Sequence, residues 1–345
     1  MSEVVRRMRQ SWNAFFFKGY SVESLGALRV AIGLGFLLFQ VTQFFPFLEL
    51  DAEAEWLFLE PIWYFELLGF ERLQPVVCWS VLAALFLATC SMTVGNWTRT
   101  SIAAVLVCSI YLKGARDSVV GDTHHRLLIW AVVLFFLLLS DCGRAYSVDA
   151  RRRPAPASEP PVPEWRASWP IRAMQLYTVS FYLWSVIAKL RVSGADWLAG
   201  GGKLQEILLR RSAMWGLDDH GQALGNELAF WLAHQPRLLE LMGGSVLLME
   251  AAFPLVLFMK RDRARALFLA AVAAFHVANF VLLYVGFLLM PLVFVIFFDM
   301  DAVAARARTW AAARRLGPSA TRARRLDAAA SPAAPAWSAR RSRGK

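Results

Sequence analysis

A small set of side chains in this sequence could move protons. Lys189 sits near the end of an apolar stretch that then breaks into a Gly-rich segment holding Asp196 and Trp197, in FYLWSVIAKLRVSGADWLAGG. His124 and His125 open a second apolar stretch, His276 lies inside a third, and Glu250 inside a fourth. Burial in apolar surroundings lowers a lysine's pKa toward neutrality and leaves a usable amine base, while histidine gives or takes a proton near pH 7. Together they suit proton abstraction in a partly dry cavity. Each also has a plainer reading: Lys189 as an interfacial anchor, His124 and His125 as exposed cap residues, His276 as a packed and satisfied ring, Glu250 as a structural hydrogen bond between helices. Metal ligation by His124, His276 and Glu250 has no clustered spacing behind it, and no metal is expected.

The elements that must position these groups read as membrane helices. The chain has 345 residues, 57% of them hydrophobic, and holds several windows of about 20 mostly apolar residues, the length that crosses the hydrocarbon core. No recurring strand-like alternation supports a barrel. The expected fold is all-α, a polytopic bundle of about eight helices, seven to nine, with re-entrant or interfacial segments. Crossings are predicted at about 25–46, 75–95, 101–115, 126–141, 171–190 and 240–259, then from near Ala264, with an eighth apolar run ending near Asp299. Residues 1–300 form the membrane domain, and 301–345 a basic, largely disordered tail.

Charge sets the orientation. Arginine gathers in residues 1–24, in NWTRT, in Arg144 and Arg151 to Arg153 before a Pro-rich linker, in KRDRAR and in the tail, whereas the connection from Glu49 to Glu71 is acidic and aromatic. The positive-inside rule then predicts an inner (plasma) membrane protein with cytoplasmic N- and C-termini, and puts Lys189, His124 and His276 in the outer half of the bundle. His276, about 12 residues into its crossing, is roughly 18 Å along it. Residues 191–237 are expected outside, lying at the interface or folded back over the bundle. Arg29, one turn inside the first crossing, either snorkels to the headgroups or pairs with an acid.

Several classes lose their support. The net charge of +11 follows the loops of a membrane protein, so no nucleic-acid partner is expected; membrane lipids are. Cys78, Cys90, Cys108 and Cys142 show no CxxC spacing and read as small apolar core residues. The N-terminus is too long and polar for a cleaved signal peptide. No internal repeat and no phosphate-loop, dinucleotide or H-E-x-x-H motif is present.

Three segments carry a family resemblance. FYLWSVIAKLRVSGADWLAGG resembles the part of vitamin K-dependent gamma-carboxylases in which an apolar helix ends in lysine and leucine, followed by Asp-Trp and glycine. AAFHVANFVLLYVGFLLMPLVFV resembles that family's Phe-His helix with an Asn three residues later, and GDTHHRLL is more weakly similar to its Asn-His helix start, with His124 the better match. The wider group is the horizontally transferred transmembrane domain family. The resemblance implies a reduced quinone as cofactor, Lys189 as the base that deprotonates it, His124 as a proton donor or hydrogen-bonding partner, and His276 in the quinone-site region. The enzyme reading built on it takes Lys189, His124 and His276 as catalytic, with the two histidines as proton partners and Glu250 or Asn279 orienting one of them, and takes His276, Asn279, Trp197 and Glu250 as the cofactor contacts. It implies carbon–carbon lyase (carboxylase) chemistry. Two departures stand against full transfer: Ala188 replaces a frequent lysine, and a basic tail stands where the carboxylases continue into an external domain, so docking of a glutamate-rich protein is not expected. The alternative is a non-catalytic membrane protein that binds lipid or quinone, or an accessory to another membrane system. No protein substrate is identifiable.

Overall fold

The computed structural model describes residues 3–44, 56–57, 61–70, 72–120, 128–154, 158, 160–198, 201–213, 226–283, 287–303, 305–306 and 309. The chain divides into a compact unit, Met1–Met300, and a second unit, Asp301–Lys345. Nearly all of the second lies outside the described residues.

An exposed amphipathic helix α1 (Glu3–Phe17) precedes α2 (Val22–Gln43), whose start is capped by Ser21 accepting from the Ser24 N–H. A short helix α3 (Trp63–Leu67) follows, flanked by a two-residue antiparallel pair, Trp56–Leu57 with Arg72–Leu73. Next come α4 (Pro75–Val94) and α5 (Thr98–Val120). Proline at the first turn of α4 and Gly95 after its last, at φ 72°, give it the usual asymmetric ends. Then follow α6 (Leu128–Leu139), the one-turn α7 (Val148–Arg152) and the long α8 (Trp165–Ser193). Two small helices, α9 (Gly202–Ala213) and α10 (Glu227–Ala233), lead into α11 (Pro236–Ala252) and α12 (Asp262–Leu283).

Four of these stretches are long and apolar enough to cross a membrane: Val22–Gln43, Pro75–Val94, Pro236–Phe258 and Asp262–Leu283. Their large apolar side chains are exposed where lipid would lie, among them Leu87, Leu248 and Leu267. With α5, α6 and α8 they make a polytopic all-α bundle. Pro254, expected inside the sixth crossing, ends α11, and the chain continues as a 3-10 helix, Phe253–Phe258.

The eighth apolar run takes a different form from the crossings before it. Met290–Phe297 is a 3-10 helix with Met290, Val293, Phe294, Ile296 and Phe297 buried. Irregular backbone at membrane depth needs partners inside the protein. Gln175 on α8 donates to the Ile296 carbonyl at 2.6 Å, and Arg265 on α12 to the Phe297 carbonyl at 2.9 Å.

Arg29 follows neither expected route. It is completely buried, and its Nη2 donates at 2.7 Å to the Tyr146 backbone carbonyl, linking α2 to the turn after α6. Among the described residues it forms no ion pair. The same end of the bundle is closed by Asp149 on α7, whose carboxylate accepts from the Trp97 and Thr98 N–H groups and the Thr98 hydroxyl, so that it caps α5 across the fold. Burial pushes the Asp149 carboxyl up, but these hydrogen bonds and nearby Arg152 outweigh it and hold it below the usual carboxylate value. At the opposite end, Phe65 packs against Tyr111 and the Ile62 N–H donates to Ser118. Burial and, secondarily, Asp117 push the Tyr64 phenol up to about 12, so it stays a donor to the Ile110 carbonyl. The acidic side chains at 49, 51, 53, 55 and 60 lie outside the described residues.

Close approach of α2 and α4 depends on a small residue. A β-carbon at Gly33 would collide with the Thr93 hydroxyl, and one helical stage away Gln40 donates to Thr89 at 2.5 Å. Gly33→Leu is expected to force the two helices apart and to cost about 1–3 kcal/mol, read as a lowered melting temperature of the purified protein in detergent. An unchanged melting temperature would mean that the helices separate there without cost.

Candidate functional site

Lys189 lies four residues before the end of α8 and turns inward. Its Nζ donates to Ser185 Oγ at 2.6 Å and to both Glu250 carboxylate oxygens at 2.7 Å, and Ser185 donates in turn to Glu250 Oε1 at 3.1 Å. The three ammonium protons are thus all engaged. The lysine side chain is 20% exposed and that of Glu250 only 4%, which makes the contact an ion pair between α8 and α11 that is buried on its acidic side and partly buried on its basic side. Charges so poorly solvated persist only when paired and hydrogen-bonded.

A cover closes over the lysine. After α8 the chain makes a 3-10 turn, Gly194–Trp197, that places the Trp197 ring centroid 5.6 Å from Lys189 Nζ, in cation–π range. The turn approaches α11 so closely that a β-carbon at Gly243 would overlap the Trp197 carbonyl. Around it Trp197, Leu204, Leu208, Leu232, Leu239 and Leu247 form a second apolar cluster. Of the two placements expected for residues 191–237, the described part shows the fold-back over the bundle. Trp197 Nε1 is buried with no hydrogen-bond partner among the described residues.

Seven residues before Lys189, on the same face of α8, Tyr182 begins a second layer roughly 10 Å along the helix. Its hydroxyl and His276 Nε2 are 2.7 Å apart, and its ring stacks on Phe253 at 3.9 Å. Phe275, Phe287 and Phe294 complete the wall around the imidazole. His276 Nδ1 is buried and unpartnered among the described residues, as a free donor or a free acceptor according to the tautomer. Because Glu250 and Phe253 are three residues apart on one strand of chain, the ionic layer and the aromatic layer adjoin between the same elements.

The structure thus brings Lys189, Glu250 and Trp197 together and places His276 in the adjoining layer, bonded to Tyr182. Asn279 follows His276 on α12 and is half-buried. His124 lies outside the described residues, as do His125 and Gly200. Sequence reading passed over Tyr182 and Ser185, although their spacing of seven and four from Lys189 puts all three on one helical face. Among the described residues no three His, Cys, Asp or Glu side chains cluster as metal ligands.

The fold and this buried charge pair define a polytopic helical membrane protein with a polar site inside its bundle. The sequence model of the HTTM domain, the membrane domain of vitamin K-dependent carboxylases, matches residues 17–301, and the chain belongs to that family. No curated protein and no solved structure matches the chain.

Removing one partner of the pair strands the other. Lys189→Met is expected to cost about 3 kcal/mol of stability because it leaves a buried carboxylate unpaired, whereas Lys189→Met combined with Glu250→Gln recovers most of that loss. Unfolding in mixed micelles measures both, and equal stability of the single and double variants would mean that the two groups are not coupled.

Proposed function

We propose that this protein, in the plasma membrane with both termini cytoplasmic, uses a reduced quinone for lysine-based proton abstraction, with carboxylation as the reaction that would follow. The observation that carries the reading is the Lys189 ammonium held against Glu250 beneath the Trp197 ring. The surroundings fit a flat apolar ring bearing polar oxygens. Tyr182, Phe253 and Phe294 are buried and packed on one another, so the support comes from the apolar wall they form and from the orphaned His276 Nδ1 and Trp197 Nε1, which offer polar contacts.

A bound reduced quinone would supply an acidic ring hydroxyl and reducing electrons for oxygen. The chain's own part is to hold and move a proton. Lys189 passes one ammonium proton to Glu250 across 2.7 Å, leaving a neutral amine beside a neutral carboxylic acid. The amine then takes a proton from the hydroxyl presented to it and returns to ammonium, while Ser185 holds both groups in register. His276, hydrogen-bonded to Tyr182, orients the ring and exchanges a proton through Nδ1.

A second reading has its own observation. Every Lys189 proton is already accepted, which suits a purely structural pair in a non-catalytic binder of lipid or quinone, or an accessory to another membrane system.

Oxygen-dependent oxidation of reduced quinones of several chain lengths separates the two, measured on purified protein in lipid with labelled bicarbonate and a glutamate-containing peptide in a parallel sample. Wild type is expected to turn over, and the folded Lys189→Met/Glu250→Gln variant to lose at least about 100-fold. Label in the peptide would make the protein a carboxylase. Absence of turnover, or equal rates in both proteins, would leave the structural reading.

A further inference from the structure

The arginine-rich end of the bundle holds a cleft of about 500 Å³ that the chemistry at Lys189 does not use. It lies between the start of α5, the turn after α6 and the one-turn helix α7. Arg99, Arg144, Arg152 and Arg153 line it, against two carboxylates, Asp141 and Asp149. The two acids offset only half of that charge, four arginines against two carboxylates. Asp149 has both oxygens committed to the Trp97 and Thr98 N–H groups and the Thr98 hydroxyl. Asp141 is shared at long range between Arg99, at 3.4 Å, and Arg166, at 3.3 Å. Arg152 donates to the neutral Asn96 amide oxygen at 2.7 Å, which orders its guanidinium without discharging it. The start of α5 contributes little, because Asp149 already occupies its Trp97 and Thr98 N–H groups.

A separate feature bears on the depth of the cleft. Three aromatic side chains stand exposed at this end: Trp97 at 71%, Trp165 at 48% and Tyr146 at 42%. Exposed Trp and Tyr mark the headgroup level of a membrane protein, where one end of the ring is apolar and the other wet. A guanidinium group at that level meets phosphate on one side and acyl chain on the other, and the cleft lies beside exposed Val94 and Leu139.

We propose that this cleft binds the phosphate of an anionic phospholipid. The guanidinium groups grip the phosphodiester, and the acyl chains run down the apolar surface below it. The site is separate from the Lys189 pair, and its occupancy is independent of any reaction there.

The test uses the full chain, purified in zwitterionic detergent, with native mass spectrometry of lipid adducts formed from equimolar phosphatidylglycerol and phosphatidylcholine. Wild type is expected to retain phosphatidylglycerol preferentially, Arg152→Gln/Arg153→Gln to lose about tenfold of that preference, and Arg152→Lys/Arg153→Lys to keep part of it. Removing the same charge at Arg261 and Arg263 is expected to leave the preference intact. Melting of each variant without anionic lipid checks that it is folded. Equal losses from the two arginine pairs would show diffuse adsorption and overturn the proposal. Displacement by millimolar inorganic phosphate would overturn the lipid assignment in favour of a free phosphate. An unchanged preference in a folded Gln variant would also overturn it.

Discussion

The buried pair of Lys189 and Glu250 is the constraint around which much of this bundle is arranged. Neither charge can be left alone where the side chains are 20% and 4% exposed, so α8 and α11 must meet in one register. That register brings Phe253 onto Tyr182 three residues further along, and Tyr182 onto His276 of α12. It also sets the turn after α8 against Gly243, where only a hydrogen fits, and so brings Trp197 over the ammonium. One ion pair therefore fixes three helices and a cover.

The same rule operates at the other end with different groups. Arg29, completely buried, reaches the Tyr146 carbonyl in place of water, and Asp149 caps a helix 51 residues earlier in the chain. Gln175 and Arg265 supply the hydrogen bonds that the 3-10 segment Met290–Phe297 cannot make as an α-helix would. In each case a polar side chain of the protein closes a backbone group that has no partner within its own helix. The arginine-rich face keeps a cationic surplus, because its cleft sets four arginines against two acids.

Length and apolarity made the spans legible in the sequence, and the lysine, the glutamate and the histidine stood out because ionisable groups are rare within such runs. Pairing did not. That Glu250 meets Lys189 rather than a histidine depends on how far one helix slides along another, which no periodicity within either helix records. Arg29 was misjudged for the same reason: its partner is a carbonyl, and carbonyls carry no residue signature. The last apolar run was ambiguous because a short run apolar on all sides has no face to distinguish an α-helix from a 3-10 segment. Tyr182 and Ser185 were readable from their spacing, but only once Lys189 was known to turn inward.

Whether the pair is chemistry or architecture rests on where its proton sits. Moving a proton from lysine to glutamate in water is strongly uphill, because both ions are well solvated. Inside the bundle the cation–π contact with Trp197 and the hydrogen bond to Ser185 act on the ammonium form. A purely structural pair would gain from the deepest burial and the most hydrogen bonds on both groups. Here the burial is unequal: Glu250 is sealed, and Lys189 retains a partly open side beneath a ring whose own N–H is unsatisfied. That asymmetry leaves the lysine, and not the carboxylate, as the group a ligand can reach.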